Sequence, residues 1–152
     1  MGFFNKLMGG SKSDKKEQIR NIFNSKVNNG EEYSVIAAMN MVQKHTILKE
    51  TRTFYNYIIG YMDADDPEIV IIPVDSELSD IGDPVSCKKS ECRKSEYLEK
   101  TGSFTVTHPD LGDDPVDFSV IASAAWGGYI INVSYADEFF PFMDFYKNRF
   151  AK

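Results

Sequence analysis

His108 is followed by Pro109 and Asp110, and the same loop carries Asp113 and Asp114. An imidazole beside carboxylates is the arrangement of an oriented general base, so acid–base chemistry has its best candidate here. No Gly-x-Ser-x-Gly elbow accompanies it, and a histidine beside a polar loop is usually solvated. An enzyme using His108 and an Asp of that loop is therefore the third reading of the chain. The leading reading assigns no catalytic residue. Cys87 and Cys92 stand five apart; on one strand they would face opposite ways and could not pair. With only His45 and His108 elsewhere, they do not make a usual zinc set. The acidic runs Asp63, Asp65, Asp66, Glu68 and Asp75, Glu77, Asp80, Asp83 lack the spacing that wraps oxygens around one calcium ion. Turn formation and solubility explain them more simply. No phosphate-cradling or dinucleotide glycine pattern occurs. Neither a metal nor a cofactor is expected.

Charge narrows the partners. The 152 residues carry a formal net charge of −6, yet residues 1–30 hold Lys6, Lys12, Lys15, Lys16, Arg20 and Lys26 against only Asp14 and Glu17. The remainder is strongly acidic and repels phosphate backbones, so nucleic acid is an unlikely ligand class. Within the leader, residues 1–13, Phe3, Phe4, Leu7 and Met8 share one helical face. Such a segment can touch an anionic membrane surface, and peripheral membrane association through Phe3, Phe4 and Leu7 is the second reading. The leader is too short and too weakly apolar for a signal peptide, and no stretch is long enough to span a bilayer. Reduced thiols fit a cytoplasmic protein, with the inner membrane face as an alternative address.

Aromatic residues support the leading reading. Trp126 precedes Gly127 and Gly128, and Phe140 and Phe145 widen the apolar stripe of the last helix. Large aromatics beyond what a core needs mark contact surfaces. Trp126, Phe140 and Phe145 are thus the expected contacts with a protein partner or a second copy.

The elements that must position these groups follow from periodicity. Residues 14–152 read as a single α+β domain of common size. Ile19, Ile22, Phe23 and Val27 form one helical stripe over about 14–27, stopped by Asn28-Asn29-Gly30. Residues 31–43 read as a strand buried on both faces, with a helix as the alternative. Residues 53–61 and 68–74 form a hairpin around Asp63–Pro67. Further strands are expected at 86–98, 103–107, 116–121 and 129–135. An amphipathic helix over 137–150 closes the chain, Pro141 fitting only its first turn.

A helix, about seven strands and a final aromatic helix resemble the pleckstrin-homology-like (PH-like) superfold over residues 31–150. That resemblance implies a curved, partly open antiparallel barrel plugged at one corner by the C-terminal helix. Headgroup-binding members carry a basic set around the first two strands. The matching stretch here is Lys44-His-Thr-Ile-Leu-Lys49-Glu-Thr-Arg52-Thr-Phe54. The resemblance implies lipid contacts at Lys44, Lys49 and Arg52, although Lys49 falls one residue early and Glu50 weakens the field.

Overall fold

The computed structural model describes residues 12–123 and 127–152. Helix α1 (Lys12–Lys26) leads into a short 3₁₀ turn (Gly30–Glu32). Seven strands follow: β1 (Ser34–His45), β2 (Glu50–Met62), β3 (Glu68–Val74), β4 (Val85–Lys88), β5 (Lys94–Leu98), β6 (Ser103–Thr107) and β7 (Val116–Val120). Helix α2 (Phe139–Phe145) continues into a π-helical turn (Tyr146–Phe150). The strands make one curled antiparallel sheet in the order β4-β3-β2-β1-β7-β6-β5. The α+β class, the N-terminal helix, the seven-stranded sheet and the C-terminal helix are as the periodicity predicts.

Within residues 31–43 the chain is strand from Ser34 onward, after Glu31 and Glu32 in the 3₁₀ turn, and the reason for its apolar character on both faces is clear. Ile36, Ala37 and Ala38 are buried in succession, as are Ile58, Ile59 and Gly60 on the paired strand β2. Successive side chains of a strand point to opposite faces, so both faces must be covered. Tyr61 meets Phe142 and Phe145 of α2, with ring centroids 5.0 and 4.9 Å away. Its neighbour Gly60 faces the other way, onto Phe23 of α1. A Cβ at Gly60 would lie 2.1 Å from Phe23 Cζ, so only glycine admits the ring there. Helix α1 is tied down further by Arg20, whose guanidinium donates to the carbonyls of Gly30 (2.9 Å) and Tyr33 (2.6 Å).

Inside the curl, Phe104 of β6 is the centre of an aromatic cluster. Its ring lies 5.4 Å from Phe118, 4.8 Å from Phe142 and 4.9 Å from Tyr146. The Tyr146 hydroxyl donates to the carbonyl of Thr105 at 2.7 Å, which satisfies the one polar atom this ring carries into the core.

Two expectations are corrected. The charged stretch 86–98 is not one wet strand; it divides into β4 and β5 around a 3₁₀ turn (Lys89–Glu91). The turn is fixed to the β2–β3 connection, where Lys89 N–H donates to the carbonyl of Pro67. Residues 129–135 form no strand. Their buried members Ile131, Val133 and Tyr135 do alternate, but Ile130 is buried too. The backbone is held by a side chain instead. Asn56 on β2 donates to the carbonyl of Tyr129 (3.1 Å) and accepts from Ile131 N–H (3.0 Å). Farther along, Tyr135 N–H donates to Ile121 O at 2.7 Å. The expected and observed strand counts agree because the split and the loss offset each other.

Candidate functional site

β1 and β2 are far longer than the strands beside them. Their ladder runs unbroken from Ser34↔Tyr61 to His45↔Glu50. β7 pairs with β1 only at Ala38 and Met39, and β3 leaves β2 after Asn56. Residues 40–55 therefore project from the sheet as a two-stranded arm. Its burial falls away accordingly: the last four residues of β1 and the first four of β2 are exposed.

The turn at the end of the arm is locked by Thr46. Its hydroxyl donates to the carbonyl of Lys49 (2.9 Å) and accepts from Lys49 N–H (3.0 Å), beside a backbone bond from Thr46 N–H to Lys49 O (2.8 Å). This leaves Ile47 and Leu48 at the apex with nothing against them, at 103% and 93% relative exposure. Isolated exposed hydrophobics are ordinary, but two adjacent and fully solvated aliphatics at the extremity of a projection are not.

The basic residues predicted around the first two strands all lie on this arm, but they do not converge. Lys44 pairs across from Thr51 on one face, whereas Arg52 pairs across from Gln43 on the other. Lys49 sits in the turn, so its strand parity is irrelevant. Arg52 is engaged with Glu50, at 3.2 Å from Nη2 and 3.3 Å from Nε to the same carboxylate oxygen, which Gln43 also reaches. The result is a diffuse collar of positive charge below the apex. Lys44, Lys49 and Arg52 stand there against Glu50 alone.

At the foot of the arm a cleft of about 650 Å³ opens between β2 and the loops after β3 and before Tyr129. Phe54 and Tyr129 stack across it at 4.9 Å, and Arg52, Asp75 and Asp80 line it. Asp75 is occupied by the loop itself. It accepts from Ser79 N–H (2.8 Å), Asp80 N–H (2.9 Å) and the Ser79 hydroxyl (2.7 Å), and these bonds hold its carboxyl below the usual range. Asp75 thus does the turn-making that the composition of its loop predicts.

Elsewhere the expected site residues are scattered. Phe140 is 69% exposed, resting edge-on against Phe139. Phe145 is buried, tilted on Tyr61 and stacked on Phe150. It belongs to the buried stripe Phe142, Phe145, Tyr146 and Phe150 and offers no ring to a partner. Trp126, Phe3, Phe4 and Leu7 lie outside the described residues.

His108 is 4% exposed. Its Nδ1 accepts from Asp110 N–H at 3.0 Å, which makes it the cap of a 3₁₀ turn (Pro109–Leu111). Nε2 is buried without a hydrogen bond, 3.6 Å from a Glu91 carboxylate oxygen, and the Asp110 carboxylate is 4.0 Å from Nδ1. The imidazole is a structural cap with its acceptor already in use. Cys87 and Cys92 do not share a strand, and both are buried. Burial is the main influence pushing their thiols up, to about 12 and about 11, far from the thiolate that reacts. Among the described residues no cluster of three or more His, Cys, Asp or Glu side chains is arranged to hold a metal ion.

Two features escape sequence reasoning. One is Glu68, a buried carboxylate bonded by the Tyr33 hydroxyl at 2.8 Å and by Ser86. Burial, reinforced by this carboxylate, pushes the Tyr33 phenol up to about 12. The other is the Ile47–Leu48 apex. Its signal was a turn between two strong strands without the Gly, Asn, Asp or Pro that turns favour. No protein-family model, no curated protein and no solved structure matches the chain.

Proposed function

We propose that this chain is a non-catalytic docking module on a PH-like scaffold, and that its working end is the β1–β2 arm. The curled seven-stranded sheet with an aromatic helix packed into it supports the scaffold reading. The observation that carries the functional one is the full exposure of Ile47 and Leu48 at the extremity of the arm. A projection whose outer residues are exposed on both strands, yet locked at its turn and tipped with aliphatic side chains, is suited to being covered by something else. Fluorescence recovery after photobleaching of the labelled full chain in its own cells tests this. The native chain is expected to recover slowly and an Ile47→Asp/Leu48→Asp variant quickly. Equal recovery of the two would remove the proposal.

Phe140 supports a second reading, self-association or capture of a protein through the start of α2. Sedimentation equilibrium of the native chain and Phe140→Ser decides it; identical monomeric behaviour discards self-association at this residue.

A further inference from the structure

We infer that two copies of this chain pair through their arms, β1 against β1 and antiparallel, about a two-fold axis at Gln43. The inference rests on the docking reading and names its occupant. It starts from a strand edge. β7 covers β1 only at Ala38 and Met39, so among the described residues no strand pairs with the outer edge of residues 40–45. Proteins protect such edges with a bulge, a proline or a row of charges. The β1–β2 register runs without a bulge, and Asn40-Met-Val-Gln43 holds neither proline nor charge. Exposed apolar side chains gather on the same projection. Of the seven large hydrophobics exposed among the described residues, Val42, Ile47, Leu48 and Tyr55 belong to the arm. Val42 and Tyr55 share a face, paired with Thr53 and Asn40, and Lys44 is its only charge along the arm.

Symmetry and charge select the register. Opposite residues of an antiparallel pair point to one face, so a two-fold axis normal to the sheet sets one residue against its own copy. Centring on Val42 would carry residues 45 and 46 against Met39 and Ala38, where β7 already sits. Centring on Lys44 would set like charges face to face, and any centre farther out leaves too short a ladder. Gln43 remains. Residues 41–45 then pair with 45–41 of the other copy, amide meets amide at the axis, and the aliphatic stem of Lys44 lies against Val42. Each apex comes level with the point where β7 leaves β1 on the other copy, which covers Ile47 and Leu48. The charges agree with this antiparallel sense. Burial, then the neighbouring Tyr55 and Asp117, raise the Tyr57 phenol, so the exposed Asp117 carboxylate of β7 stands beside the root of the arm. Lys49 at each tip therefore approaches Asp117 at the other root, whereas a parallel pairing would bring the cationic tips together.

Sedimentation equilibrium of the full chain, from micromolar to near-millimolar concentration, tests this. The native chain is expected to pass from monomer to dimer and no further, because a two-fold contact closes on itself. Gln43→Lys, which sets two cations at the axis, should weaken the dimer about tenfold. Lys49→Glu and Asp117→Lys should each weaken it about fivefold, and together they should restore much of what each loses. Gln43→Cys should form a disulfide-linked dimer in air, since opposite Cα atoms about 5 Å apart suit that bond. Asn40→Cys, whose two copies lie far apart in this register, should not, and the native Cys87 and Cys92 are buried. A chain that stays monomeric or grows beyond a dimer, a dimer indifferent to Gln43→Lys, or cross-linking at Asn40 in place of Gln43 overturns the inference. So does a dimer lost in Phe140→Ser and intact in Gln43→Lys, which moves the contact to α2. If the chain is monomeric while recovery after photobleaching still depends on Ile47 and Leu48, the second copy is the wrong occupant and the docking reading stands; if recovery is indifferent too, both fall. Matching thermal melts of the native and variant chains exclude unfolding as the cause.

Discussion

The same two strands live in two environments. At its root the β1–β2 ladder is covered on both faces, by Phe23 over Gly60 and by Phe142 and Phe145 against Tyr61. Along the outer arm, a few residues away, Val42–His45 and Glu50–Thr53 are exposed and the apex is fully solvated. Backbone pairing is continuous through both, so hydrogen bonding does not distinguish them. Apolar coverage does. Stability resides where side chains from α1, α2 and residues 129–135 meet the sheet, and the arm is free to be chosen for what it touches.

Alkali should break the root most completely. Burial raises the Cys87, Cys92 and Tyr33 groups, and it raises the Tyr135 and Tyr146 phenols as well. A group whose folded value is raised contributes stability that is intact below its unfolded value and is lost as pH climbs toward the folded one. Unfolding free energy measured in urea should therefore fall from about pH 9 upward, where unfolded thiols and then phenols ionise. A flat profile to pH 11 would contradict the buried placement of these groups. Next in size, Phe142→Ala should cost about 3–5 kcal/mol by leaving a cavity between Phe104, Tyr61 and Tyr146. Gly60→Ala should cost about 1–3 kcal/mol by displacing the Phe23 ring. Adding Phe23→Ala should cost less on that background than on the native one, and strict additivity would refute the contact. Asn56→Ala leaves Tyr129 O and Ile131 N–H unpaired, one of them buried, and should cost about 1–3 kcal/mol. At the other extreme, Ile47→Asp/Leu48→Asp should change stability by no more than about 0.5 kcal/mol, the range for exposed positions. A large loss there would mean that the apex is packed, and the contrast between root and arm would dissolve.

The sequence discloses the root better than the arm. The stripe Ile19, Phe23 locates α1, and Ser103–Thr107 is read to the residue as β6, because one-sided burial imprints a period on composition. The double coverage of β1 erases that imprint, which is why residues 31–43 read as ambiguous between strand and helix. Residues 129–135 show alternation without a ladder, since the pairing partner is the Asn56 amide and a side chain leaves no period. At α2, Phe145 belongs to the buried stripe rather than widening it, because it packs on Tyr61, which comes from a strand more than eighty residues earlier. The cations Lys44, Lys49 and Arg52 could be picked from the chain, but not their divergence. Ile47 and Leu48 pass unnoticed in composition, because an aliphatic in a turn is unremarkable until the space around it is known to be empty.

The length of the arm has an electrical consequence. From the Met39 rung to the turn, at roughly 3.3 Å per residue, the apex stands on the order of 20 Å beyond the last rung shared with β7. The screening distance in physiological salt is about 8 Å. The apex thus stands more than two such distances beyond the rung where β7 leaves β1, while Asp75 and Asp80 come up beside Arg52 on the flank of the arm. An acidic protein has in this way acquired a locally cationic tip, carried outward on a stalk of paired backbone.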